Sequence, residues 1–176
     1  NFNHLKIHTQ YSICEGAIKI DNLKNFCKEN KVSCLGLSDT SNLCGALEFA
    51  ENISKVGTQP IIGTQIYFSF EDTTGLLPLI ALNEKGYKRI IELSSRSYLE
   101  NDALSDPHLV IQELFSDMEG VLLLSGTIQG LFGKLFEKGR LEEITKIYRS
   151  LSSNFNDRFY LEIQRHGDQN EIAFEK

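Results

Sequence analysis

A chain of 176 residues with 41% hydrophobic residues, 24% charged residues and only 3 prolines has the composition of a folded globular protein, which excludes a disordered or low-complexity one. Folding at this length buries about two-thirds of the surface that the unfolded chain exposes, so a single domain over residues 1–176 suffices and a second is not required. The formal charge of -6, with basic residues dispersed rather than gathered into an aromatic-laced stripe, argues against direct contact with DNA.

Apolar runs such as residues 121–124 are far too short to span a bilayer, so no membrane helix is expected. The opening Asn-Phe-Asn-His-Leu-Lys has no initiator Met and no charged leader before an apolar stretch. It reads as a trimmed mature end, and the cytoplasm is the expected compartment. Cys14, Cys27, Cys34 and Cys44 are irregularly spaced and form no CxxC pair, so reduced, mostly buried thiols are expected.

In chain order, strands are expected over 4–8, 34–39, 60–68, 77–82, 121–125 and 159–164, alternating with amphipathic helical segments. Asp21 is a candidate cap for a helix with Leu23, Phe26 and Cys27 on its apolar face. Ser41 or Asn42 would cap a second helix carrying Leu47, Ala50 and Ile53, which Gly57 ends. Asp106-Pro107 places a capping carboxylate before a proline and predicts a helix over 109–114. Leu131, Leu135 and Phe136, then Leu141, Ile144, Ile147 and Tyr148, suit two helices packed on a sheet. Strands joined by crossover helices run parallel and are apolar on both faces, as 60–62 and 122–124 are, so the expected class is α/β with a parallel sheet, open or closed into a barrel.

Chemistry-bearing residues collect at the ends of these strands: His4-Leu5-Lys6-Ile7-His8-Thr9-Gln10-Tyr11-Ser12 with Glu15-Gly16-Ala17, then Ser38-Asp39-Thr40, then Gly63-Thr64-Gln65. In parallel α/β folds such ends converge on the ligand crevice. Residues two apart on a strand share a face, so positions 6 and 8 would grip one cation if both were His. Position 6 is Lys, which has three donors, no lone pair and a repelling charge.

The opening resembles the HxH motif of the PHP (polymerase and histidinol phosphatase) superfamily. The runs Leu37-Ser38-Asp39, Asn42-Leu43-Cys44-Gly45-Ala46-Leu47-Glu48-Phe49, Gln59-Pro60-Ile61-Ile62-Gly63 and Phe159-Tyr160-Leu161-Glu162-Ile163-Gln164, with His166-Gly167, are similar to the N-terminal PHP domain of bacterial DNA polymerase III alpha subunits. The resemblance covers most of the chain. It implies a distorted TIM-like (βα)7 barrel of the PHP type, truncated here at its C-terminal end. It also implies ancestry among enzymes that hydrolyse phosphoesters with water activated by up to three metal ions.

Set against that family pattern, the metal site is dismantled. Lys6, Thr40, Gln65, Leu76 and Thr127 stand where ligands belong, and only His8 and Glu15 match, with Asp39 intact beside them. Two ligands from two elements cannot hold a multinuclear cluster, so no metal and no catalytic residue are expected here; His8, Glu15 and Asp39 are the donors if any ion binds. Lys6 is expected to replace the lost cation by pairing with Glu15 or Asp39. Asp39 reads equally as a general base and as a turn cap. His4 lies at the strand start away from the crevice, His108 on solvated surface and His166 in a packing turn, and the glycines of 126–133 lack the Lys-Ser/Thr ending of a phosphate loop.

The resemblance implies a non-catalytic module of a replicative DNA polymerase, with no cofactor of its own. The rest of the alpha subunit would contain the palm domain and its Mg2+, and the proofreading exonuclease subunit and other replicase subunits would be partners. An active metal-dependent phosphoesterase or 3′ to 5′ exonuclease is the second reading. A stand-alone binder of a small anion is the third; it would need convergent basic groups, and Lys6 alone is thin support.

Overall fold

The structure is a computed structural model that describes residues 2–102, 104–167 and 170–175. In chain order its elements are α1 (Ile20–Asn30), β1 (Cys34–Thr40), α2 (Ala46–Ser54), β2 (Gln59–Phe70), β3 (Thr73–Ala81), α3 (Glu84–Leu99), β4 (Leu109–Val110), a 3-10 turn (Ile111–Phe115), β5 (Val121–Leu124), α4 (Leu131–Glu137), α5 (Leu141–Phe155), β6 (Phe159–Tyr160) and the short α6 (Glu171–Phe174). The α/β class expected from the alternating pattern holds.

The sheet is mixed, not parallel throughout. Its strands lie in the order β1-β2-β3-β5-β6, with β4 beside β2. Pairs β1·β2, β2·β4 and β5·β6 are parallel, whereas β3 runs antiparallel to both β2 and β5. The cause is local: only Glu71 and Asp72 separate β2 from β3, and a two-residue link joins antiparallel neighbours alone. Glu71 takes a left-handed φ of 51°. The turn is held from outside by Lys138 Nζ at 3.0 Å and Arg140 at 3.1 Å from the two Asp72 carboxylate oxygens. The sheet does not close into a barrel among the described residues.

The expected strand over 4–8 is an extended edge segment. It meets β1 through the Ile7↔Leu37 bridge and the bonds Gly36 N to His4 O (2.7 Å), Ile7 N to Gly36 O (3.1 Å) and Ser38 N to Ile7 O (2.8 Å). At the other end of the sheet, the strand expected over 159–164 keeps ladder pairing only at Phe159–Tyr160.

Several helix starts differ from expectation. The cap of α1 is Lys19, with Asp21 in the first turn, where its charge still favours the helix dipole. The cap of α2 is Gly45, because Asn42 is diverted. Its amide donates to Tyr11 O at 2.8 Å and Thr40 O at 2.9 Å, and its Oδ1 accepts from Cys44 N at 3.0 Å. On these helices Leu23, Cys27 and Ile53 are buried, while Phe26 and Leu47 face outward. The helix expected over 109–114 is a two-residue strand followed by the 3-10 turn. Leu109, Ile111 and Leu114 are buried there, so the apolar spacing was real but the backbone adopts the tighter turn suited to so short a run.

Two apolar clusters flank the sheet. One joins α1 and α2 to β1 through Leu23, Leu35, Leu37 and Phe49. The other packs α3, α4 and α5 on β2, β3 and β5 through Phe68, Leu77, Leu93, Phe132, Leu151 and Phe155. Gly86 lets α3 approach the chain before β5 backbone to backbone, since a Cβ there would lie 1.8 Å from Gly120 O. Of the cysteines, all free, Cys27 is buried and Cys34 half-buried, but Cys14 and Cys44 are exposed on turns, contrary to the mostly buried expectation.

Candidate functional site

The edge segment 4–9, the loop after it, the middles of β2 and β3, the loop after β5 and the segment after β6 surround one cavity of about 340 Å³. Six of the eight sequence-predicted positions line it: Lys6, His8, Glu15, Gln65, Leu76 and Thr127, joined by Gln129, Gln164 and His166. Thr40 stands at its rim, where its hydroxyl donates to Glu15 Oε2. Leu76 lies inside β3 opposite Tyr67, not just ahead of the strand expected over 77–82.

Asp39 does not line the cavity. Its side chain is fully buried, and both oxygens are occupied: Oδ1 by Thr9 N (2.6 Å) and Ser12 Oγ (2.6 Å), Oδ2 by Thr9 Oγ1 (2.7 Å). It organises the loop that carries Glu15. Tyr11 pins the same loop to α2 by donating to Glu48 at 2.6 Å, and that bond holds the phenol above its ordinary pKa.

Lys6 pairs with neither Glu15 nor Asp39. Its ammonium lies 2.6 Å from Glu162 Oε1, on the segment after β6. The reason is directional: Asp39 is sealed by the loop, whereas Glu162 alternates with the exposed Leu161 and Ile163 and so turns inward. Ser125 Oγ accepts from Glu162 N at 2.9 Å and holds that segment in place. In the sequence Glu162 stands out only as part of a family motif. The apolar-polar alternation at 160–164 puts Glu162 on the face opposite Leu161 and Ile163, but which face turns inward is set by the fold.

His8 is held from both sides. The Gln65 side-chain amide is 3.1 Å from Nε2, Ser12 Oγ is 3.4 Å from Nδ1, and Glu15 Oε2 is 3.7 Å from Nδ1. Amide donation to Nε2 assigns the ring proton to Nδ1, toward Glu15. Burial pushes the imidazole below its ordinary pKa, with Lys6 acting in the same direction and Glu15 opposing both. The ring is therefore neutral at pH 7.

These residues do not fit a metal cluster. Glu15 offers lone pairs to the cavity, the His8 Nε2 lone pair is taken by the Gln65 amide, Asp39 is consumed, and Lys6 brings a positive charge. Among the described residues no group of three or more His, Cys, Asp and Glu side chains could hold a metal ion. His4 is exposed on the edge segment and stacks edge-to-face with Phe2. His108 is half-buried rather than solvated, its ring nitrogen 2.8 Å from Asp106 O. His166 borders the cavity, and its backbone N–H is bound by the Glu171 carboxylate at 2.9 Å.

Residues 4–166 match the family model described as the PHP domain. The DNA polymerase III alpha subunit of Caulobacter vibrioides is 36% identical over 187 residues, covering 99% of this chain and 16% of that protein. The alpha subunits of Rickettsia felis and Vibrio cholerae are 34% and 31% identical, and the match covers 14% and 15% of their lengths. The chain thus spans about a sixth of these relatives. Among solved structures, one described as a metal-dependent phosphoesterase from Bifidobacterium adolescentis superposes with a TM-score of 0.56 at 12% identity, over 98% of this chain and 82% of that one; the two share a fold. No helix among the described residues is long and apolar enough to cross a membrane.

Proposed function

The chain belongs to the PHP domain family, and on that premise we propose that it is the N-terminal PHP domain of a replicative DNA polymerase III alpha subunit, metal-free and structural in role. The observation that carries the structural reading is the Lys6 ammonium, 2.6 Å from Glu162, at a cavity lined by six of the positions where the resemblance puts metal ligands. A tethered cation there neutralises a carboxylate without a metal, and His8 and Glu15 alone are too few ligands for a catalytic ion. Hydrolytic chemistry has no activated water on this reading.

The full-length protein would be a cytoplasmic DNA-directed DNA polymerase, consistent with the span of the alpha-subunit relatives. Nucleotidyl transfer and its Mg2+ belong to a palm domain elsewhere in that protein. Further strands would extend the open sheet toward the (βα)7 barrel of the family. The domain would serve as a docking platform for the proofreading exonuclease subunit and meet the other replicase subunits. The formal charge of -6 supports a role away from DNA.

The test is metal content by mass spectrometry on the full-length protein and on a variant lacking this domain, both exposed to Mn2+ and Zn2+ and then desalted. We expect no difference between them. One or more extra ions retained with this domain, together with aryl-phosphate hydrolysis, would replace the structural reading by an active phosphoesterase.

A further inference from the structure

We draw no further inference here: the strongest candidate, the apolar groove of about 440 Å³ between α2 and α3 floored by Pro60, Ile61 and Ile62, carries nothing because no feature of the structure shows what covers it.

Discussion

Replacing Lys6 by Met keeps most of the aliphatic stem and removes the ammonium, leaving the Glu162 carboxylate without its 2.6 Å partner. The two side chains retain only 19% and 16% of their exposure, so the pair lies between two known regimes. Breaking a buried pair costs about 3–5 kcal/mol, whereas surface pairs contribute about 0–1 kcal/mol. After discounting for residual solvent, Lys6→Met should lose about 2–3 kcal/mol. For a domain of this length that is a fall of roughly 4–12 °C in Tm. The assay is urea unfolding of Lys6→Met, Glu162→Gln and the double variant. Glu162→Gln removes the stranded charge, so the double variant should regain about 1–2 kcal/mol over the sum of the singles. A Lys6→Met protein that unfolds within about 0.5 kcal/mol of the parent, or strictly additive singles, would refute the tethered-cation reading.

Asp39→Asn should lose about 2–4 kcal/mol in urea unfolding, because an amide cannot accept all three bonds from Thr9 and Ser12; Thr40→Val, which loses one bond at the exposed rim, should stay within about 0.5 kcal/mol. His8 sits below its ordinary value of 6.5, so the unfolded chain binds its proton first as pH falls. That contribution is full above about pH 6.5 and is lost as the pH drops through the folded value. His8→Gln should therefore flatten the decline of the urea midpoint between about pH 7 and pH 5, and an unchanged slope would count against a buried neutral ring. A fold stabilised by bound metal gains RT ln(1 + [L]/Kd), so Tm should be indifferent to EDTA and to millimolar Mn2+; a Tm that climbs with the logarithm of Mn2+ concentration would show a resident ion.

Where local chemistry decides the structure, the sequence was readable. The apolar stretches of β1 and β5, the Gly57 stop after α2 and the amphipathic faces of α4 and α5 follow from periodicity and glycine geometry. Positions 6, 8, 15, 65 and 127 were readable as one group and line one cavity, although Gln65 lies within β2 rather than at its end. What stayed hidden depends on distant residues. The Glu71-Asp72 hairpin has none of the Gly or Asn that mark tight turns; Lys138 and Arg140, far along the chain, hold it. Asn42 resembles a helix cap until Tyr11 and Thr40 claim its amide. Lys6 announced a missing ligand, but its partner was set by which carboxylate the loop leaves free.

The Lys6–Glu162 contact joins the first extended segment to the segment after the last strand, 156 residues apart. Closing a flexible loop of that length costs about 4–5 kcal/mol on the (3/2)RT ln n scale, more than even the roughly 2–3 kcal/mol lost when Lys6 is removed and the Glu162 carboxylate is stranded. The ion pair therefore cannot draw the two ends together. Each partner must already be in place: Lys6 through the bonds of Ile7 to Gly36 and Ser38, Glu162 through Ser125 and the β5·β6 pairing. Once the sheet has met the closure cost, the pair's Coulombic gain has only the desolvation of its two charges to offset, which is the condition under which a tethered lysine can occupy a cation's place without itself directing the fold.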